Sequence, residues 1–142
     1  MAERFGAAMK IQWCWLPGKN PKFITVGYWF FDKPDNKGTL HFEVSDLHNW
    51  KYNLAVAGHE FIEAMYCWIF HVSTETCDSF DEHYEWLYKT KVVSPSVEPG
   101  TDKHCPYYVG HMIGMAWEWI VIHFTGASWR KYDDACNKLM EI

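Results

Sequence analysis

Residues 49–72 read NWKYNLAVAGHEFIEAMYCWIFHV, and their apolar side chains recur at the spacing of an α-helix. The repeating apolar positions include Leu54, Phe61, Met65 and Trp68. At about 1.5 Å per residue, a helix over this stretch would be about 36 Å long. A chain of 142 residues fits a single domain. The pattern therefore predicts one long helix that spans the domain and organises the rest of the fold around it.

The middle of this helix carries charged residues where the pattern is otherwise apolar, in the sequence Gly58-His59-Glu60-Phe61-Ile62-Glu63. Residues four apart lie on one face of a helix, so His59 and Glu63 can bind one metal ion together. Glu60 lies beside them with a carboxylate that can transfer a proton. The arrangement is similar to the H-E-x-x-H zinc-hydrolase helix, with a glutamate in place of the second histidine. We predict that His59 and Glu63 are ligands of a divalent metal, in the first instance zinc, and that Glu60 is a general base.

Catalytic zinc sites use three protein ligands and leave one position for water, so a further ligand must come from elsewhere in the chain. We predict His111, because it lies near the start of another predicted helix. Gly110 and Gly114 form a stripe of small residues there that would let the two helices approach closely. Asp81 is predicted either as a fourth ligand or as a carboxylate that orients a ligand imidazole.

Each of these residues also has an interpretation without a metal. His59 could be an ordinary histidine beside a solvated face with Glu60 and Glu63, although buried charges at apolar positions need a partner. His111 could be a hydrogen-bonded core histidine, and Asp81 a surface or capping carboxylate. Two further interpretations involve other residues: additional site residues on the loop before the third helix (Asp102, His104), and a structural zinc site of mixed ligands (Cys67, Cys77, Cys105, His104).

Alternating and β-branched patterns in the first third of the chain indicate strands, and periodic patterns after residue 49 indicate helices. A turn rich in Asp, Asn, Pro and Gly at residues 32–38 predicts a hairpin between the second and third strands. The predicted class is α+β, with an N-terminal antiparallel β-hairpin or small sheet packed on three to four helices. The predicted strands are 10–16, 23–31 and 39–44; the helices are 49–72, 77–89, 107–124 and 128–140; and 91–106 is a long loop.

Composition narrows the partners that the chain can have. It has 13 basic and 18 acidic residues and no basic stripe, which argues against nucleic-acid binding. Five cysteines without a C-x-x-C pair indicate reduced thiols and a cytoplasmic location, or the host cytoplasm for a phage protein. The apolar segment 106–124 approaches the length of a membrane span, but Glu118 within it argues against a membrane partner. Residues 1–8 carry no apolar run and are interpreted either as a dispensable leader of the single domain 1–142 or as a remnant of cloning.

Three segments together resemble a family of small uncharacterised proteins of phages and bacteria. They are VSDLHNWKYNLAVAGHEFIEA at 44–64, SFDE at 79–82 and EPGTDKHCPYYVGH at 98–111. That family combines an H-E-x-x-E-A helix, an F-D element and an E-P-G-x-D…P-Y-x-x-x-H element. The matching residues here are His59, Glu60, Glu63, Phe80, Asp81, Glu98, Pro99, Gly100, Asp102, Pro106, Tyr107 and His111. The resemblance implies that His111 belongs with His59 and Glu63, and it implies no activity.

Two functional hypotheses follow. The first is a small metal-dependent hydrolase that acts on an unknown small-molecule or peptide substrate, with a peptide or amide bond as the default. The second is a non-enzymatic protein of phage type, in which the same residues hold a structural metal or form a buried polar network. In that case the nine tryptophans would serve packing and an interface with a protein partner.

Overall fold

A computed structural model describes residues 9–141, and the predicted leader at 1–8 lies outside the described residues. The α+β class is confirmed: three strands come first and four α-helices follow. The strands are β1 (Lys10–Leu16), β2 (Gly27–Lys33) and β3 (Lys37–Ser45); the helices are α1 (Trp50–Ile69), α2 (Thr74–Lys89), α3 (Tyr108–Phe124) and α4 (Trp129–Met140). A short 3-10 helix, Pro99–Thr101, interrupts the long loop between α2 and α3.

The sheet is mixed rather than purely antiparallel, with β3 in the centre. β2 and β3 form the predicted antiparallel hairpin, whereas β1 pairs with the other edge of β3 in parallel. Both Leu16 and Gly27 lie near the end of β3, so the segment between them crosses that end and leaves the two strands on opposite sides. The sequence pattern describes each strand but not this crossing, which decides the pairing.

The second strand begins four residues later than predicted, at Gly27 instead of residue 23. The preceding backbone is bonded to side chains instead of a neighbouring strand. The Asn20 side chain accepts from the N–H groups of Lys22 and Phe23, and Glu85 of α2 accepts from the N–H of Ile24. These bonds hold segment 23–26 against α2, where it forms one wall of a cavity.

The long helix α1 has the predicted position and is shorter at its C-terminal end. Asn49 caps its start, because its side-chain oxygen accepts from the Lys51 N–H. The chain leaves the helix after Ile69, and His71 adopts a left-handed backbone with φ of 58°. Of the predicted apolar positions, Leu54 and Phe61 are about two-fifths exposed, whereas Met65 and Trp68 pack against a buried cluster. The buried side carries the histidine and the two glutamates of the charged stretch.

Close packing of α1 on α3 depends on glycines from both helices. A Cβ atom on Gly114 would lie 2.8 Å from the His59 ring, and one on Gly110 would lie 3.0 Å from the Tyr66 side chain. From the other side, Gly58 of α1 makes room for Trp117 of α3. The predicted stripe of small residues therefore lies in this interface.

Two hydrophobic clusters lie along α1, one before and one after the charged stretch. The first involves Ala55 and Val56 near its N-terminal half, and the second involves Ala64 and Cys67 near its C-terminal half. The polar residues of α1 are thus held between two apolar clusters. Within residues 9–141, no helix combines the length and hydrophobicity that a membrane crossing requires.

Candidate metal centre

Three of the predicted ligands lie together between α1 and α3. His59 and Glu63 come from successive turns of α1, and His111 comes from the first turn of α3. All three are buried, with exposures of 5%, 7% and 5%. Among the described residues 9–141 they are the one group of three whose ligand atoms all come close enough to share an ion. The group could bind a metal.

The three ligand atoms form a triangle with equal sides. His59 Nε2, Glu63 Oε2 and His111 Nδ1 are each 3.0 Å from the other two. For metal–ligand bonds of about 2.0–2.1 Å, neighbouring ligands are about 2.9 Å apart in an octahedral site and about 3.3–3.4 Å apart in a tetrahedral one. The observed triangle lies between these values, so an ion could bind with shifts of a few tenths of an ångström.

The remaining ring nitrogen of His59 is held by a carboxylate from α3. Its Nδ1 lies 2.8 Å from Glu118 Oε2, and the other oxygen of Glu118 accepts from the Tyr132 hydroxyl of α4. An ionised carboxylate can only accept a hydrogen bond, which places the imidazole hydrogen on Nδ1 and the lone pair of Nε2 toward the triangle. A chain from carboxylate to histidine is the usual support of a histidine metal ligand.

His111 is oriented in the opposite sense, with Nδ1 toward the triangle and Nε2 toward the loop before α3. Glu98 Oε2 lies 2.8 Å from Nε2 but to one side of the N–H direction, so Nε2 has no aligned hydrogen bond within residues 9–141. Gly100 follows on the same loop, and a Cβ atom there would be 2.3 Å from the His111 ring. The E-P-G sequence thus brings its glutamate and its glycine against this histidine.

Glu63 also has a partner on the atom that does not face the triangle. Its Oε1 accepts a hydrogen bond of 3.1 Å from the indole N–H of Trp29 on β2. Each of the three ligands is therefore contacted from outside by a different element: α3, the 98–100 loop or β2. Such contacts fix the rotamers of the ligands and leave their inner atoms directed at one another.

The electron pairs of the triangle require either a bound cation or bound protons. With both imidazoles protonated on their outer nitrogens, three electron pairs face one another over 3.0 Å. Without an ion the imidazoles must take up protons. Burial lowers the pKa of His59, but bonds to Glu118 and Glu63 outweigh it and hold that pKa well above its ordinary value. For His111, the nearby carboxylates of Glu63 and Glu98 likewise outweigh burial and raise the pKa to about 9. Burial raises the pKa of Glu63, but the same histidines outweigh it and lower it to about 2.

Glu60 is buried beside the triangle and is 8% exposed. Its carboxylate makes no hydrogen bond to any residue in the described range 9–141. A Cβ atom on Gly27 would lie 2.6 Å from its Cγ, so the start of β2 holds the side chain in place. Burial and the nearby Glu63 carboxylate raise the pKa of Glu60 well above its ordinary value. A carboxyl whose pKa is raised above that of an ordinary glutamate is suited to general acid–base catalysis.

The triangle and Glu60 line one cavity of about 90 Å³. Its other walls come from segment 23–29, from α2, from the loop around Glu98 and from residues of α3 and α4. An ion at the triangle could therefore have a position that faces this cavity in addition to its three protein ligands. That arrangement, rather than a closed set of four ligands, is the one that catalytic zinc sites use.

Asp81 lies outside the group of three, although it lines the same cavity. Its Oδ1 accepts from the hydroxyl of Tyr107, whose ring meets the His111 ring edge-on at 6.2 Å. Burial raises the pKa of Asp81 to about 8, with a further increase from the charge of Glu63. The structure thus places Asp81 next to a neighbour of a ligand, and not on the triangle itself.

The other candidates of the sequence lie elsewhere. Asp102 accepts from the hydroxyl of Tyr84 and contacts His104, whose side chain is almost fully exposed. The three cysteines of the mixed-ligand alternative are buried in the hydrophobic cluster beside Ala64 and form no ligand group within residues 9–141. That alternative zinc site is not supported.

Sequence reasoning missed two of the outer contacts. Glu118 carried a usable signal: it is seven residues after His111, which places both on one face of α3, and it is the single acid of an apolar helix. Trp29 carried no such signal, because an aromatic residue in a strand ordinarily indicates core packing.

Comparison of the chain with protein-family models, with curated proteins and with solved structures finds no match. The resemblance to small phage and bacterial proteins therefore stays a prediction. Function has to be argued from the chemistry of the site.

Proposed function

We propose that this protein is a metal-dependent hydrolase with zinc held by His59, Glu63 and His111. The observation that carries the proposal is the buried triangle of three ligand atoms, each 3.0 Å from the others, at the wall of a cavity. Two histidines and one glutamate are a ligand set of zinc peptidases. The same set binds Fe(II) in some oxygenases, so elemental analysis is part of the test.

Glu60 supplies the second part of the proposal. A divalent ion at the triangle would polarise a carbonyl and lower the pKa of a water in its open position toward about 7. Glu60 would accept the proton of that water while its oxygen forms a bond to the carbonyl carbon. Glu60 would then donate the proton to the leaving nitrogen as the carbon–nitrogen bond breaks. The unpartnered, buried carboxylate of Glu60 in the same cavity supports this role.

A peptide or amide bond is the proposed substrate bond, because the order His-Glu-x-x-ligand on one helix is that of zinc peptidases. The cavity is small and acidic, which disfavours a phosphoryl group: its lining contains seven carboxylates and, within residues 9–141, no lysine or arginine. A phosphate there would meet strong like-charge repulsion.

The experiment compares wild type with Glu60→Gln and with Glu82→Gln, an exposed glutamate of α2 that gives the same chemical change outside the site. Zinc-loaded proteins are incubated with a library of short peptides, and cleavage is read by mass spectrometry. We expect Glu60→Gln to keep its zinc and lose turnover by about 10²–10⁴-fold, the usual contribution of a general base. Glu82→Gln should cleave as wild type does. Cleavage by Glu60→Gln at the wild-type rate would refute the role of Glu60.

A second candidate is a protein-binding module in which the metal is structural. It is favoured by the outer face of α3, where Val109, Ile113, Ile120 and Phe124 recur at helical spacing and are 46–87% exposed. In that case Glu60→Gln changes no turnover, because there is none, and removal of zinc lowers the melting temperature and any binding together.

A further inference from the structure

Apart from its two histidines, every ionisable residue of the Asp, Glu, Lys and Arg types that lines the cavity beside the triangle is acidic. α1 contributes Glu60 and Glu63, α2 contributes Asp78, Asp81 and Glu85, and the remaining acids are Glu98 and Glu118. Lys22 bonds Asp78 at 3.0 Å from the outside and is half-exposed. Even with a divalent ion bound and Asp78 neutralised, several carboxylates remain without a countercharge.

The second observation is the state of Glu60. Glu60 is more than nine-tenths buried and lines the cavity, and its carboxylate has no hydrogen-bond partner in the described part of the chain. An isolated buried carboxylate is costly unless a partner satisfies it. Together with the acidic walls, it indicates that the contents of this cavity include positive charge.

Asp81 occupies the wall that α2 forms. Its Oδ1 is bound by Tyr107, and its other oxygen makes no hydrogen bond within residues 9–141. Burial and the surrounding acids raise the pKa of this carboxyl, an unfavourable condition that a bound cation would relieve. Asp78 and Glu85 are less available to a ligand, because Asp78 already accepts a hydrogen bond from Tyr28 and Glu85 accepts one from Ile24.

We propose that the hydrolase acts on substrates with a protonated primary amine close to the scissile bond, and that Asp81 binds this ammonium group. The inference rests on the proposed function, since it needs an open metal position in the same cavity. The room is limited: an apolar cavity of about 150 Å³ takes benzene, so one of about 90 Å³ suits an aminoalkyl group. A free amino terminus and a short alkylamine both have this chemistry.

The test measures binding of small hydroxamates, which ligate zinc, to the zinc-loaded protein by calorimetry near pH 7. A series of ω-amino hydroxamates of increasing length is compared with ω-hydroxy isosteres, in which a neutral hydroxyl replaces the ammonium. The series is needed because the amine must reach Asp81 from the metal. The variants are Asp81→Asn and, as a control for net charge, Asp134→Asn on the exposed side of α4.

We expect at least one amino hydroxamate to bind about 10–100-fold more tightly than its hydroxyl isostere, the value of a hydrogen bond between charged groups. Asp81→Asn should abolish the difference, and Asp134→Asn should keep it. Equal affinities across the series in wild type would overturn the ammonium site and leave the proposed function standing. If no hydroxamate binds the zinc-loaded protein, the open metal position is absent, and both proposals are wrong.

Failure of Asp81→Asn to fold would leave the wild-type comparison decisive. In that case, the advantage of the amine must decline with added salt, because it is electrostatic. An advantage that is independent of salt would point to coordination of the metal by the amine, and would overturn the role of Asp81.

Discussion

Gly114→Ala tests whether the position of His59 controls metal binding. The new Cβ atom would lie 2.8 Å from His59 Cγ and 2.9 Å from Nδ1, whereas ordinary contact begins near 3.4 Å. The ring must therefore move by about 0.6 Å, or α1 and α3 must separate by a similar amount. Metal–ligand distances tolerate deviations of about 0.2 Å. The displaced ring also leaves the Glu118 carboxylate, which holds Nδ1 at 2.8 Å.

We expect the affinity for zinc to fall at least tenfold, or about 1.4 kcal/mol. Loss of the hydrogen bond that orients a metal ligand by itself lowers metal affinity about 10–100-fold. The free energy of unfolding without metal should change less, since alanine gains about 1 kcal/mol over glycine in a helix and offsets part of the clash. Calorimetric titration gives the zinc affinity, and thermal unfolding with a chelator gives the stability.

The matched control is Gly110→Ala, one turn earlier on α3. It makes the same change in helix propensity, and its Cβ would press on Tyr66 at 3.0 Å, a residue outside the triangle. Zinc affinity of this variant should stay within about twofold of wild type, less than the tenfold step of 1.4 kcal/mol. Wild-type zinc affinity in a folded Gly114→Ala protein would refute the argument that the His59 ring is locked in its binding position.

Three further results are expected. Glu118→Gln should weaken zinc binding about 10–100-fold, because the amide can no longer hold the Nδ1 hydrogen of His59 as a carboxylate does. Unchanged zinc affinity would show that Glu118 does not support the metal ligand. Asp81→Asn should raise the melting temperature more at pH 8 than at pH 5. Burial raises the pKa of Asp81 from 3.8 to about 8. The stability of the wild type therefore declines as pH rises through that interval. An equal change in melting temperature at both pH values would contradict this. The affinity for zinc should increase as pH rises from 6 toward 9. Nearby carboxylates outweigh burial and raise the pKa of His111 to about 9, so a proton bound to His111 competes with the metal below that pH. A zinc affinity independent of pH would argue against imidazole ligands.

The helices and the hairpin could be predicted because their signals are local. Apolar spacing located α1, α3 and α4 within a few residues, and the turn at 32–38 located the hairpin. The parallel pairing of β1 could not be predicted, because it depends on the path of the ten residues between Leu16 and Gly27. Likewise, segment 23–26 looks like a strand in isolation, but its backbone N–H groups bond to the side chains of Asn20 and of Glu85 on α2.

For the site, spacing alone brought His59 and Glu63 to one face of α1. The prediction that Gly110 and Gly114 let α3 approach α1 closely was correct. Gly58 and Gly110 precede the two histidines yet pack on Trp117 and Tyr66, and the histidine rings are contacted by Gly114 and Gly100. Adjacent residues on a helix point in different directions, so the residue that faces a histidine comes from another element.

Anomalous X-ray scattering from crystals of the zinc-loaded protein, measured at the zinc absorption edge, tests the metal site most directly. The geometry predicts one peak per chain, bonded to His59 Nε2, Glu63 Oε2 and His111 Nδ1 at about 2.0–2.2 Å. No peak at the triangle, or zinc bound only by other side chains, would contradict the central claim that these three residues form a metal centre.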